Sequence, residues 1–141
     1  MSFKFQNIRV YCSTVGALKR RAAIAIPGIG IFIHPADINN TDLLRHEFGH
    51  ILQRKYFGFF FFFFKIATAS INSARKANKD AAYNHMHCWT EWTANKLSYD
   101  FFNCPIDWNF KDYPIVANAN TKYFVVLPKK VESIIFKQKS I

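Results

Sequence analysis

Apolar and polar positions fall into blocks along this chain, and their spacing names the elements. Leu43, Leu44, Phe48, Ile51 and Leu52 recur at helical spacing behind Asn39-Asn40-Thr41-Asp42. There Asn40 or Thr41 can cap, and Asp42 suits the positive end of the helix dipole. Gly58 suits the position just past a helix end. The pattern predicts one helix over Asp42–Phe57. Before it, residues 22–33 read AAIAIPGIGIFI. This predicts a turn at 27–30 and a short strand over Gly30–His34, stopped by Pro35. Ile8–Tyr11 carries weak strand character.

After the helix come six consecutive Phe, 59–64. Phe57–Ile66 is the most apolar stretch of the chain, yet far short of the roughly 20 residues that a membrane span needs. It predicts a buried segment packed on the preceding helix, with contact to a membrane surface as the alternative. The polar run 72–80, NSARKANKD, predicts a solvated loop. A second helix is expected over Ala81–Phe102, ended by Asn103 and Pro105. Residues 105–122 read as loop and Tyr123–Leu127 as a short strand; the basic tail has no assignable pattern. The mixture predicts an α+β fold.

Composition narrows this picture. The 141 residues fit a single domain, with a core over about 22–127 and a basic tail over 128–141. Half of the residues are apolar, which excludes a disordered chain. Lys and Arg number 19 against 9 Asp and Glu, a net charge of +10. Such a surface attracts polyanions or anionic lipid. No zinc-finger, RNA-recognition or basic-zipper signature accompanies it, so nucleic acid is not an expected partner. Cys12, Cys88 and Cys104 are scattered and form no CxxC pair, which suits a reducing compartment. The N-terminal residues MSFKFQNIRVYCS hold Lys4 and Arg9 and no apolar signal core. A cytoplasmic location is the expectation, with peripheral membrane association as the alternative. Nothing in the pattern sets an oligomeric state.

The chemistry concentrates in His46-Glu47-Phe48-Gly49-His50, an H-E-x-x-H motif inside the best-marked helix. Residues four apart lie on one helical face, so two imidazoles there can point at one metal ion. Glu47, beside the first of them, can act as general base on a water that the metal acidifies. Gly49 suits close packing on the back of such a helix. A third ligand is needed, and the chain has only three Glu. Glu91 lies in the second predicted helix, in Trp89-Thr90-Glu91-Trp92-Thr93-Ala94-Asn95. Asn95, one turn later on the same face, can orient a ligating His from behind. The longer pattern HExxHxxGxxH fails, because Gln53 and Tyr56 stand where it needs Gly and His. A glutamate-ligand site is therefore expected.

His87, four residues before Glu91, would share its face as an oxyanion donor or a fourth ligand; His85 is a further candidate. For both, the alternative is a polar residue near a helix start. Cys88 should face away from Glu91, and His34 reads as structural. The Gly30–His34 strand, shortly before the motif helix, is expected to serve as an edge strand for an extended peptide.

The segment Leu43 to Gln53, together with Trp89-Thr90-Glu91-Trp92-Thr93-Ala94-Asn95-Lys96-Leu97, resembles the small zincin-like metallopeptidases of Bacteroidetes-type bacteria. These minimal gluzincins pair an HExxHxxQ helix with a later T-E-x-x-A-[DN] helix. The resemblance covers roughly residues 25–105. It implies Zn2+ held by His46, His50 and Glu91, Glu47 as catalytic base, and an α+β core with the two helices packed together. In the better-known gluzincins an Asp usually stands where this chain has Asn95. Their second domain, which forms half of the cleft, has no room in this length.

The function expected is a zinc-dependent metallopeptidase acting on a peptide or protein substrate, with Glu47 activating a zinc-bound water. Two other readings stand beside it. One is a non-catalytic zinc-binding module for protein interaction or membrane-surface contact. The other is an effector domain of a longer protein.

Overall fold

The computed structural model describes residues 1–118 and 127–137. The fold is α+β, a four-stranded sheet set against a group of helices. β1 (Ser2–Phe5) and β2 (Ile8–Cys12) form an antiparallel hairpin. Its two-residue turn places Gln6 and Asn7 at positive φ, the tight reversal that suits the twist of paired strands. β3 (Ile24–Ile26) turns through Pro27 and Gly28 into β4 (Gly30–Ile33), and the two pair antiparallel. β4 also pairs with β2, in parallel, so the strand order is β1-β2-β4-β3.

That order corrects one expectation. The strand at Gly30–Ile33 lies inside the sheet, and β3 is the edge. Ile24–Ile26 folds back across the Pro-Gly turn and covers the side of β4 that would otherwise be open. Three residues are too few to announce themselves as a strand by alternation.

α1 (Thr41–Phe57) follows with Asn40 as its cap, the Asn40 side chain accepting from the Leu43 N–H at 3.1 Å. Gly58 closes it, its N–H donating to the Arg54 carbonyl at 3.1 Å. The Phe run is helical: α2 (Phe59–Phe61) passes into one π-helical turn over Phe62–Ile66, then into α3 (Ala67–Lys79). The loop expected at 72–80 is therefore mostly the C-terminal part of α3. Its inward positions are small and hydroxylated, so no apolar period marks it as a helix.

The second predicted helix is shorter than expected. α4 spans Trp89–Phe101, and the residues before it form an irregular connection with a short 3-10 turn at His85–His87. α5 (Lys129–Lys137) occupies the basic tail. The strand expected at Tyr123–Leu127 lies almost entirely outside the described residues.

Two cores hold these pieces. Val10, Ile31 and Ile33 of the sheet meet Leu44 of α1. Phe48, Leu52, Phe57, Phe62, Ile66, Trp92, Leu97, Val131 and Ile135 form the helical core. Contact between α1 and α4 is closest at Gly49, where a Cβ would run into the Ala94 backbone carbonyl. Glycine here lets two helices meet backbone to backbone, and that approach brings the polar residues of both into one pocket.

Candidate metal centre

His46, Glu47 and His50 lie on the buried side of α1. Glu91 comes from the first turn of α4, itself almost fully buried. Its Oε2 stands 3.3 Å from His46 Nε2 and 3.1 Å from His50 Nε2. The three residues form a group that could hold a metal ion, with one ligand atom of each within 4.8 Å of the others.

What lies behind the imidazoles decides how they can act. Asn95 donates its Nδ2 to the Pro114 carbonyl at 2.9 Å, so its Oδ1 is the atom left to face His46 Nδ1, at 2.7 Å. Gln53 donates its Nε2 to the Thr90 carbonyl at 2.6 Å and to Thr93 Oγ1 at 2.9 Å. Its Oε1 then faces His50 Nδ1 at 2.8 Å. Both amides are acceptors toward the rings, so each Nδ1 carries the proton. Each ring therefore turns its Nε2 toward the Glu91 carboxylate. Two Nε2 atoms and a carboxylate oxygen converge in a buried place, where a proton or a metal ion can sit between them.

The titration of the site reflects this. Burial pushes Glu91 up, but His50 and His46 outweigh it and hold the carboxylate well below its ordinary range. Burial likewise opposes a charged His50, yet the neighbouring Glu91 pushes its pKa up to about 9. In a metal-free site, a proton on His50 supplies the missing positive charge.

Glu91 Oε1 is engaged from the other side. It accepts from Ser70 Oγ of α3 at 2.6 Å and from Thr90 Oγ1 at 2.9 Å. His85 Nε2 stands 3.6 Å from Glu91 Oε2, and its Nδ1 is 2.8 Å from Ser73 Oγ, which is 2.7 Å from the Tyr83 hydroxyl. Burial holds His85 below the ordinary histidine range. Among the described residues, no buried side-chain nitrogen or oxygen lacks a partner.

Glu47 is buried beside the group. Burial raises its pKa, while His46, His50 and a hydrogen bond from the Ala25 backbone on the edge strand act the other way. Tyr113 packs its ring 5.5 Å from that of His46, and burial and nearby carboxylates push its hydroxyl up to about 12.

Of the residues named from sequence, His46, Glu47, His50, Glu91 and Asn95 come together. His87 sits in the 3-10 turn ahead of α4, so the one-turn spacing to Glu91 does not apply, and His85 takes the place beside the carboxylate. Cys88 is the residue preceding α4, with its sulfur 3.3 Å from Thr90 Oγ1. His34 accepts from the Ala36 N–H at 3.1 Å, a structural cap. Gln53, Ser70, Thr90, Thr93 and Tyr113 were not singled out as site residues. Gln53 carried a signal, since it is polar on a helical face that is otherwise ligand or core.

No protein-family model, curated protein or solved structure matches this chain, so the site's own geometry carries the functional reading.

Proposed function

We propose that the chain is a zinc-dependent hydrolase of peptide bonds, with His46, His50 and Glu91 as ligands and Glu47 as general base. The observation that carries the reading is the pair of amides, Asn95 and Gln53, that engage both imidazoles at Nδ1 and leave each Nε2 turned toward Glu91. Two imidazoles and one carboxylate are a donor set that suits zinc. An ion there lowers the pKa of water toward neutrality and polarises a carbonyl.

Every other step belongs to the protein. Glu47 takes the proton of the attacking water on its carboxylate and later passes it to the leaving amine. Asn95 and Gln53 keep the ligating rings from rotating. Ser70 and Thr90 hold Glu91 Oε1, so its other oxygen stays turned toward the imidazoles. β3 is an edge strand of the sheet, and an extended peptide can add to its free side as a further strand. Support for that placement is the Ala25–Glu47 contact, which ties the sheet edge to the proposed base.

The test compares wild type with Glu47→Gln for metal content and for cleavage of a peptide library. Expected are about one zinc per chain in both proteins and cleavage by the wild type alone. Undiminished cleavage by Glu47→Gln would overturn the assigned base. Folded wild type that takes up no zinc would overturn the centre itself.

A further inference from the structure

The helical stretch that follows the motif helix has an outer face that the metal centre does not use. Phe57, Phe62 and Ile66 point into the core. Phe60 is 74% exposed, Phe64 68%, Ile71 53% and Phe59 51%. The Phe60 and Phe64 rings stack on each other at 6.3 Å with only 10° between their planes. Along this continuous helical stretch, positions four apart lie nearly one above the other. That spacing puts Phe62 and Ile66 inside while Phe60 and Phe64 stay outside.

Charge along this part of the sequence has one sign. No Asp or Glu occurs from Phe48 to Lys79, while Arg54, Lys55, Lys65, Arg75, Lys76 and Lys79 do. The Arg54 guanidinium lies over the Phe59 ring at 5.4 Å, and the Lys130 ammonium of α5 lies over Phe61 at 5.1 Å. Lys65 is exposed next to Phe64. Arg54 and Lys65 thus flank the exposed aromatics, the arrangement of an amphipathic element at a lipid headgroup boundary. No helix among the described residues is long and apolar enough to cross a membrane.

We propose that the Phe59–Phe64 face and the basic residues beside it dock the protein onto an anionic lipid surface. The phenylalanines enter the acyl boundary, and the flanking Arg and Lys meet the headgroups. Because the face is separate from the metal ligands, docking does not depend on the proposed hydrolysis.

The experiment is co-sedimentation with vesicles of phosphatidylcholine, with and without phosphatidylserine, in low and high salt. Wild type should sediment with the serine-containing vesicles in low salt and at least tenfold less in high salt. The Phe60→Ser/Phe64→Ser double variant should lose at least tenfold of the binding while keeping the wild-type melting temperature. Lys65→Glu should weaken it less. Equal binding to both vesicle types, or none to either, would overturn the proposal. So would lipid-free self-association that the same double variant abolishes, because the occupant would then be a second copy of the chain.

Discussion

The facing sides of α1 and α4 and the outer side of the helical stretch at 59–79 depart from the usual distribution of residues in opposite directions. The first buries His46, Glu47, His50, Gln53, Glu91 and Asn95. The second leaves Phe59, Phe60 and Phe64 in water. Buried polar groups are tolerated when their partners are complete, and here the described ones are. Exposed aromatics have no such internal remedy. The first region completes its hydrogen bonds within the chain, whereas the second leaves its rings uncovered by the described residues.

The largest effect should separate inward from outward phenylalanine. Phe62 is 4% exposed within the helical core. Phe62→Ala should cost about 3–5 kcal/mol of stability, read from urea unfolding midpoints, because it leaves a cavity between α1 and the π-helical turn. A loss below about 1 kcal/mol would show the segment to be loosely held and would remove the contrast between its two faces.

Next in size are the amides behind the imidazoles. Gln53→Ala and Asn95→Ala should each weaken zinc binding about 10- to 100-fold, measured by competition with a chelator of known affinity. Gln53→Glu separates orientation from bulk. It keeps an acceptor for His50 Nδ1 but loses the donor to the Thr90 carbonyl, so it should bind zinc better than the alanine variant. Unchanged zinc affinity in both alanine variants would mean that the polar network serves the fold alone.

These two effects also mark what the residue pattern could and could not announce. α1 was legible to its ends because its signals are local: the Asn40 cap, the apolar period and Gly58. Its metal-facing residues followed from one-turn spacing, and Gly49 from the need for close packing, which the contact with Ala94 meets. Glu91 stood out through the scarcity of Glu. α3 was not legible, because Ser70 and Ser73 are the small polar residues that a pattern assigns to solvent. Their partners, Glu91 and His85, lie on elements some twenty and twelve residues further on. The same reason hid Gln53, whose role depends on the Thr90 carbonyl and Thr93 hydroxyl across the helix pair. His85 displaced His87 because an irregular connection, not a helical turn, leads into α4.

A smaller effect compares two buried carboxylates. Asp37 has its cation within the chain. Arg21 donates its Nε to Asp37 Oδ2 at 2.7 Å, and a second bond joins Nη2 to Oδ1. That hydrogen bonding lowers the Asp37 pKa from its ordinary 3.8, against the opposing effect of burial. A carboxylate with a lowered folded pKa contributes stability that is fully present above the unfolded value. The contribution disappears as pH falls through the folded one. Asp37→Asn should therefore unfold at lower urea than wild type near neutrality, and the difference should shrink below about pH 3.8. Zinc should not alter that difference, since Asp37 is not among the converging ligands. A zinc-dependent Asp37→Asn effect would show that the pair is coupled to the metal centre.

The smallest expected effect is on the outer face. Phe60→Ser should change stability by no more than about 0.5 kcal/mol, because a mostly exposed ring gives up little burial and two exposed ring contacts, with Phe59 and Phe64. Serine also lowers the exposed apolar area, which should raise solubility without altering the fold. The measurement is the unfolding midpoint in lipid-free buffer beside that of Phe62→Ala. If both variants lost several kcal/mol, Phe60 would be packed in the native protein and the outer face would already have its partner. If Phe60→Ser is silent in buffer, the ring contributes nothing that the isolated fold requires. Its place among Arg54, Lys65 and Phe64 is then to be explained by a surface outside the chain.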